Sequence, residues 1–231
     1  MGITKSQINR FAWMGITFSA FLLIFIFGAP ADASQQATTQ SPRLVQAREL
    51  MGSYYTHSIV KRAENIDDLS SHVLEWTDEA MKGKYHRHAR GVAKAILAES
   101  RAHGFDPIFL MAVIQSESSF NPLAKGTSGE IGMMQILPET ARWIAQREGW
   151  QIKITKKCLH DPVMNIKIGA AYLAYLRKQF DSHGRLYLSA YNMGATNVNR
   201  ALAKQVWPKD YPTRVMSKYL EYYRDLRKQH S

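Results

Sequence analysis

From residue 87 onward, apolar positions recur at helical intervals, and turn residues separate one such run from the next. No run shows sustained alternation of apolar and polar residues, which is the pattern of a half-buried strand. The pairs Asp106-Pro107 and Asp161-Pro162 each place a capping side chain before a proline, which is a start signal for a helix. The pattern therefore predicts an all-α domain over residues 87–231.

The preceding stretch, residues 43–86, has a weaker helical period among charged neighbours. Leu69, Val73, Trp76 and Ala80 fall on one helical face, which is typical of a helix that packs against a larger domain. The stretch contains no recognisable motif. We expect it to be a short helical accessory region.

The N-terminus has the parts of an export signal. Lys5 and Arg10 precede an uncharged apolar stretch that runs to Ala29, and Ala31 and Ala33 form an Ala-x-Ala site. Residues 1–33 are therefore expected to be a signal peptide that is cleaved after Ala33, or a retained membrane anchor. The small, uncharged polar residues at 34–42 predict a flexible linker.

The composition narrows the choice of partner. Thirty Lys and Arg residues against nineteen Asp and Glu give a net charge of +11, which favours nucleic acid, anionic lipid or an acidic wall polymer. Export favours the wall polymer over nucleic acid. Cys158 is the single cysteine, so the chain can form no intramolecular disulfide and no paired-cysteine zinc site.

Glu117 is the first candidate for chemistry. On the helix predicted from Pro107, it shares a face with Leu110, Val113 and Ile114. Burial of a carboxyl group beside aliphatic side chains raises its pKa, because the charged form loses solvation. A carboxyl group that keeps its proton near neutral pH can act as a general acid.

Glu99 meets the same periodicity criterion, so the helical pattern does not separate the two glutamates. Glu99 lies in mid-helix with His103 one turn later, which is typical of a solvated or paired surface residue. Glu117 lies at a helix end, before a loop rich in Gly, Ser, Thr and Pro that can shape a cleft. Context therefore favours Glu117.

Three motifs follow in order along the chain: ESSFNPLAKGTSGEIGMMQILPETA at 117–141, DPVMNIKIGAAYLAYL at 161–176 and SAYNMG at 189–194. Together they resemble the motifs of the lytic transglycosylase catalytic domain, of the soluble lytic transglycosylase type within the lysozyme-like superfamily. The resemblance extends from residue 87 to about residue 204. It implies a lysozyme-like helical domain at 87–231.

The resemblance also implies an activity. Such enzymes cleave the β-1,4 bond between N-acetylmuramic acid and N-acetylglucosamine in peptidoglycan without consuming water, and leave 1,6-anhydromuramoyl ends. One carboxyl group serves first as acid and then as base, and Glu117 matches that residue. Neither a cofactor nor a metal is implied.

The same motifs imply the substrate-binding residues. Gln135 and Met134 match the cleft-lining motif, where an amide holds a sugar substituent and a thioether packs on a sugar face. Tyr191 and Asn192 match a pair close to the acid, in which the tyrosine orients the glutamate and the asparagine holds substrate. Ser128 is a further candidate in the loop.

The loop departs from the family pattern at two positions. Gly126 stands where many relatives have a serine that bonds the catalytic carboxyl group, and Thr127 or Ser128 is a candidate substitute. Glu130 stands where a small residue is commoner. A second carboxylate would suit a water-activating hydrolase, and the alternative is a solvent-facing loop charge.

Two rival functions stay open. A goose-type lysozyme-like muramidase shares the fold and cleaves the same bond with water. A catalytically silent module of a secretion or pilus assembly would use the cleft to grip glycan. The pairs Cys158 with His160 and His86 with His88 lack the orienting residues of a thiol hydrolase or a metal site.

The expected partners and location follow from these features. We expect binding to peptidoglycan glycan strands and not to nucleic acid, together with contacts to the cell wall or to a secretion machine. The expected location is the bacterial periplasm or cell envelope. A retained N-terminal segment would add association with the inner membrane.

Overall fold

The structure is a computed structural model and describes residues 41–230. The expected signal or anchor at 1–33 lies outside the described residues, as does most of the expected linker. Pro42, at the end of that linker, is already the first residue of a helix. Among residues 41–230, no helix is both long and apolar enough to cross a membrane.

The described chain is built from α-helices and short 3₁₀ turns, as the sequence predicted. The helices are α1 (Pro42–Met51), α2 (Ile59–Arg62), α3 (Ser70–Ala80), α4 (Ala89–His103), α5 (Pro107–Ser118), α6 (Pro138–Arg147), α7 (Lys156–His160), α8 (Pro162–Gln179), α9 (Gly184–Met193), α10 (Ala195–Ala203) and α11 (Asp210–Gln229). The loop between α5 and α6 contains two isolated antiparallel bridges, Lys125 with Ile131 and Ile131 with Ile136.

Helix α5 is the centre of the fold. The Asp106 carboxylate caps its start by accepting the Ile108 N–H at 2.9 Å, and Pro107 occupies the first turn, as the sequence predicted. Every residue from 108 to 114 is buried, because α4, α3 and α11 pack around the helix. The helix therefore has no single apolar stripe, and it ends in left-handed backbone at Ser119 and Phe120.

Helix α11 is fixed against α5 by buried tyrosines. The Tyr219 and Tyr223 hydroxyls each donate to Asp106 Oδ2 at 2.7 Å, so the start of α5 is bonded to the middle of α11. Burial raises the pKa of the Asp106 carboxyl group, and the donors from the two tyrosines act in the opposite direction. These bonds set the position of α11 relative to α5.

Helix α8 supports the loop between α5 and α6. The buried Asn165 side chain donates to the carbonyls of Ile131 and Leu159 at 2.9 Å each and accepts the Met134 N–H at 2.7 Å. A β-carbon at Gly132 would overlap this amide, so the position requires glycine. Asn165 thus holds this loop against α7 and α8.

The segment at 43–86 shares the core of the described residues. The Arg43 guanidinium is buried and donates to the carbonyls of Ile66 and Glu64 at 2.7 Å each. Gln46 Oε1 accepts the Asp106 N–H at 2.6 Å, which joins α1 directly to the cap of α5. Helix α1 therefore contributes to the placement of the central helix.

Candidate active site

A cavity of about 600 Å³ opens at the C-terminal end of α5. Its walls come from the end of α5, the loop that follows, and helices α6, α8, α9 and α10. The residues that line it are Glu117, Gly126, Thr127, Ser128, Glu130, Gln135, Ile136, Leu137, Thr140, Tyr172, Tyr191, Asn192, Met193, Gly194 and Asn197.

Glu117 is held at the wall of this cavity by a tyrosine. The Tyr211 hydroxyl donates to Glu117 Oε1 at 2.5 Å. Burial raises the pKa of Glu117 to about 7, the Glu130 charge adds to the rise, and Tyr211 and Arg214 oppose it. The position in the last helical turn also disfavours the carboxylate, because the carbonyl ends of the helix point toward it.

Tyr211 is a site residue that sequence reasoning missed. It lies at the start of α11 and is almost fully buried. The Arg214 guanidinium lies over its ring, with 5.2 Å between the guanidinium carbon and the ring centroid. Burial raises the pKa of its hydroxyl well above the ordinary value, and the Glu117 charge adds to this effect. The hydroxyl is therefore a stable donor to the carboxyl group.

The loop that carries Gln135 is anchored to the end of α5. Ser118 Oγ donates to the Met133 carbonyl at 2.8 Å, so the residue after Glu117 ties the helix to this loop. Gln135 has left-handed backbone with φ of 48°, and its amide donates to the Gly132 carbonyl at 2.8 Å. These bonds present the Gln135 side chain to the cavity.

The structure places Tyr191 and Met134 in contacts other than the expected ones. The Tyr191 hydroxyl donates to the Met134 carbonyl at 2.8 Å, and the hydroxyl that donates to Glu117 is that of Tyr211. The Met134 side chain is wholly buried against Gly169 and does not line the cavity. Its thioether therefore has no surface to offer a sugar ring.

The remaining predicted binding residues lie at the cavity wall. Asn192 is exposed there, and Tyr191 contributes its ring, which packs on Tyr172 at 5.5 Å between centroids. Ser128 is exposed and lines the cavity, and its backbone N–H donates to Glu130 Oε2 at 2.9 Å. Within residues 41–230, no hydrogen bond joins Thr127 or Ser128 to Glu117.

The competing candidates lie elsewhere. Glu99 pairs with His103 at 3.5 Å, as its context indicated. Burial raises the pKa of the Cys158 thiol, which disfavours the thiolate, and His160 bonds the Pro122 carbonyl instead. Over the described part of the chain, no group of three or more His, Cys, Asp or Glu side chains could hold a metal ion.

A larger depression, of about 1080 Å³, lies between the 3₁₀ turn at Gly52–His57 and helices α9 and α11. Its lining includes Arg62, Arg185 and Arg224, and its carboxylate, Glu49, is paired with Arg177 at 2.5 Å. It therefore presents cations and lacks an acid placed for proton transfer. The chemistry is concentrated in the smaller cavity at Glu117.

Comparisons with known proteins agree with this geometry. The chain is 28% identical over 184 residues to membrane-bound lytic murein transglycosylase C of Edwardsiella ictaluri, and the match covers 76% of this chain and 49% of the relative. The chain thus spans about half the length of the curated relatives that it matches.

Two solved structures share the fold. The lytic transglycosylase Slt from Pseudomonas aeruginosa, solved as an inactive Glu-to-Gln mutant, matches with 26% identity and a TM-score of 0.54 over 80% of this chain and 30% of its own. The 70 kDa soluble lytic transglycosylase of Escherichia coli matches with 25% identity and a TM-score of 0.53 over 73% of this chain and 31% of its own.

The family model described as the Transglycosylase SLT domain matches residues 94–213, which is more than half of the chain. The match contains Glu117, the loop that follows it, the cavity-lining part of α9, and Tyr211. The chain therefore belongs to the Transglycosylase SLT domain family.

Proposed function

We propose that the protein is a peptidoglycan lytic transglycosylase, which cleaves the β-1,4 bond between N-acetylmuramic acid and N-acetylglucosamine and leaves a 1,6-anhydromuramoyl end. One observation carries the proposal: Glu117 lies in a cleft with its pKa raised to about 7 and a tyrosine donor on one oxygen. At neutral pH such a group is present both as acid and as carboxylate. A lytic transglycosylase needs one residue to donate a proton and then to accept one, and a group that is partly protonated at neutral pH can do both.

In the first step, protonated Glu117 gives its proton to the glycosidic oxygen as the bond to C1 of the muramoyl sugar breaks. The carbonyl oxygen of the muramoyl N-acetyl group bonds to C1 on the opposite face. Because the substrate supplies this nucleophile, the step needs no second carboxylate from the protein. Glu117 is left ionised.

In the second step, the Glu117 carboxylate takes the proton of the C6 hydroxyl group. The C6 oxygen then bonds to C1, the bond from the N-acetyl oxygen to C1 breaks, and Glu117 is again protonated. Tyr211 and Arg214 both favour the carboxylate, so they stabilise Glu117 in the interval between the two steps. No water is consumed.

We assign substrate contacts to the polar side chains at the cavity wall. Gln135 and Asn192 offer amide groups that can both donate to and accept from sugar substituents. The Tyr191 and Tyr172 rings offer flat apolar surface beside Glu117. Ser128 lies at the rim of the loop. A cleft of this composition suits a polar ligand with apolar ring faces.

We place the protein in the bacterial cell envelope, attached to the inner membrane if the N-terminal segment is retained. Two relatives bear the name membrane-bound lytic murein transglycosylase C, and this chain begins with a basic and apolar segment of the export type. The net charge of +11 favours attachment to an acidic wall. Separation of membrane and soluble envelope fractions tests the placement.

A hydrolytic muramidase is the second candidate, and Glu130 is the observation that favours it. Its carboxylate lines the same cavity as Glu117, and a second carboxylate is what an enzyme uses to activate water. Products with reducing ends would support this candidate. A silent glycan-binding module is the weaker alternative, because binding alone does not require a proton donor with a raised pKa.

The test compares Glu117→Gln with Glu99→Gln on purified peptidoglycan sacculi, with the full chain in each case. Both changes replace a glutamate that precedes a serine on neighbouring helices, and Glu99 is paired with His103 outside the cavity. We expect Glu117→Gln to lower the release of soluble muropeptides roughly a hundred- to ten-thousandfold, because the variant loses the acid–base group. Unchanged release by Glu117→Gln would refute the assignment.

A further inference from the structure

The carboxylate of Glu130 packs closely against Gly126. A β-carbon added at Gly126 would overlap Glu130 Oε2 and would lie 2.9 Å from the Glu130 carboxyl carbon. The Ser128 N–H donates to the same Oε2 at 2.9 Å, and the Gly126 N–H donates to the Glu130 backbone carbonyl at 2.9 Å. The carboxylate therefore fills the space that a side chain at position 126 would occupy, and the local backbone fixes it there.

This carboxylate belongs to the electrostatic environment of Glu117. Besides burial, the groups that act on Glu117 are Tyr211 and Arg214 from α11 and Glu130 from the loop. Tyr211 and Arg214 favour the ionised form of Glu117, whereas the negative charge of Glu130 disfavours it. Glu130 is thus the charge that opposes the two groups on α11.

We propose that Glu130 is a positioning residue for the reaction and that Gly126 leaves the space in which its carboxylate lies. The absence of a side chain at position 126 lets the Glu130 carboxylate hold a fixed place at the cavity wall, from which its negative charge favours a protonated Glu117 when substrate binds. The inference rests on the proposed role of Glu117 as the acid. It assigns no proton transfer to Glu130.

The arrangement resolves a conflict between the two steps. Tyr211 and Arg214 stabilise the carboxylate that forms after the first proton transfer, but the same contacts withdraw the proton that this transfer needs. Burial is the largest cause of the raised pKa of Glu117, and a nearby anion adds to that rise without removing either contact. Fixing that anion on Gly126 keeps it from swinging toward solvent or toward a cation, where its effect on Glu117 would be screened.

The first experiment removes the charge of Glu130 and keeps its shape. We expect Glu130→Gln to move the titration of Glu117 to lower pH by roughly half a unit. The readout is ¹³C NMR titration of carboxyl-labelled glutamate, with the Glu117 signal assigned by its loss in Glu117→Gln. The control is Glu139→Gln, which removes an exposed carboxylate at the start of α6 that does not line the cavity.

The second experiment tests whether the missing side chain at position 126 is what lets the Glu130 carboxylate stay in place. The Glu130 carboxylate is the far end of a flexible side chain, so Gly126→Ala is expected to displace it and leave the chain folded. We expect Gly126→Ala to shift the Glu117 titration downward in the parent, and to leave it unmoved in the Glu130→Ala background. The Gln135 amide, 3.0 Å from the added carbon, is present in both backgrounds, so its displacement cancels in the comparison.

The outcomes separate this inference from the proposed function. The inference is overturned if Glu117 titrates at the same pH in Glu130→Gln as in the parent protein, provided that the variant has unchanged thermal unfolding. A shift by Gly126→Ala that is equal in both backgrounds also overturns it. Because NMR titration needs no turnover, both results can be read even if sacculi are not cleaved, and that failure would count against the proposed function alone. Loss of turnover at every pH in Glu130→Gln, with the Glu117 titration unmoved, would make Glu130 a reacting group and contradict the inference.

Discussion

The Tyr211 hydroxyl lies 2.5 Å from Glu117 Oε1, and 94 positions separate the two residues in the sequence. The contact joins the start of α11 to the end of α5. Tyr219 and Tyr223, in the middle of α11, bond Asp106 at the start of α5. The helix that carries the acid is therefore held at both ends by tyrosines of one helix, and the ionisation of Glu117 depends on the placement of α11.

We expect Tyr211→Phe to shift the alkaline limb of the rate profile to higher pH. The hydroxyl donates to the carboxylate and lowers the pKa of Glu117, so its loss moves that pKa above about 7. The rate at the optimum should also fall roughly ten- to a hundredfold, because the carboxyl group loses its orientation. Tyr222→Phe is the control: it lies on the same helix, with its ring against Trp76. If the alkaline limb of Tyr211→Phe stays at the same pH as in the parent protein, the hydrogen bond from Tyr211 does not lower the pKa of Glu117.

We expect Glu117→Gln to be more stable than the parent protein at high pH. The pKa of about 7 in the folded protein exceeds the ordinary glutamate value of 4.5, so between these values the native state holds a proton that the unfolded state has lost. Stability of the parent therefore falls as pH rises through this window, by up to about 3 kcal/mol. Urea unfolding at pH 4 and pH 8 measures the difference, which should be near zero at pH 4 and largest at pH 8.

We expect Asp106→Ala to destabilise the protein more than Asp161→Ala does. Both aspartates cap a helix that begins with proline, but Asp161 is exposed while Asp106 also accepts two buried tyrosine hydroxyls. The exposed cap should cost about 1 kcal/mol. The buried one should cost about 3 kcal/mol or more, because three donors lose their acceptor. Equal losses in chemical denaturation would show that the tyrosine bonds contribute nothing to stability.

We expect Asn165→Ala to lower both stability and activity. The change removes three buried hydrogen bonds, of which two hold Ile131 and Met134 and one holds Leu159, and Gln135 follows Met134 directly in the cavity wall. The unfolding free energy should fall by about 3 kcal/mol. The folded variant at low temperature should show a raised KM, since Gln135 loses its support. Asn199→Ala, an exposed change on α10, should alter neither quantity.

The helices that frame the site could be predicted because their signals are local. Asp106-Pro107 and Asp161-Pro162 are cap-and-proline pairs, and the structure has α5 and α8 beginning at those prolines. The choice of Glu117 over Glu99 could not come from periodicity. Helix α5 is buried on every side, so an apolar neighbour at helical spacing carries no information about which way its glutamate points.

The partners of Glu117 could not be predicted, because they depend on packing between distant elements. No local pattern marks Tyr211, and Tyr191 fits the motif but bonds the Met134 carbonyl. Positions 126 and 130 each stood out in the sequence, yet their contact depends on how the loop folds back.

The central claim is that one carboxyl group, Glu117, cleaves glycan strands and closes a ring without water. Mass spectrometry of the muropeptides that the full chain releases from purified sacculi tests it most directly. The account predicts products that end in 1,6-anhydromuramic acid, each lighter by one water molecule than the hydrolysed product. Reducing muramic acid ends, with incorporation of ¹⁸O from labelled water, would contradict it and would instead support the muramidase that Glu130 suggests.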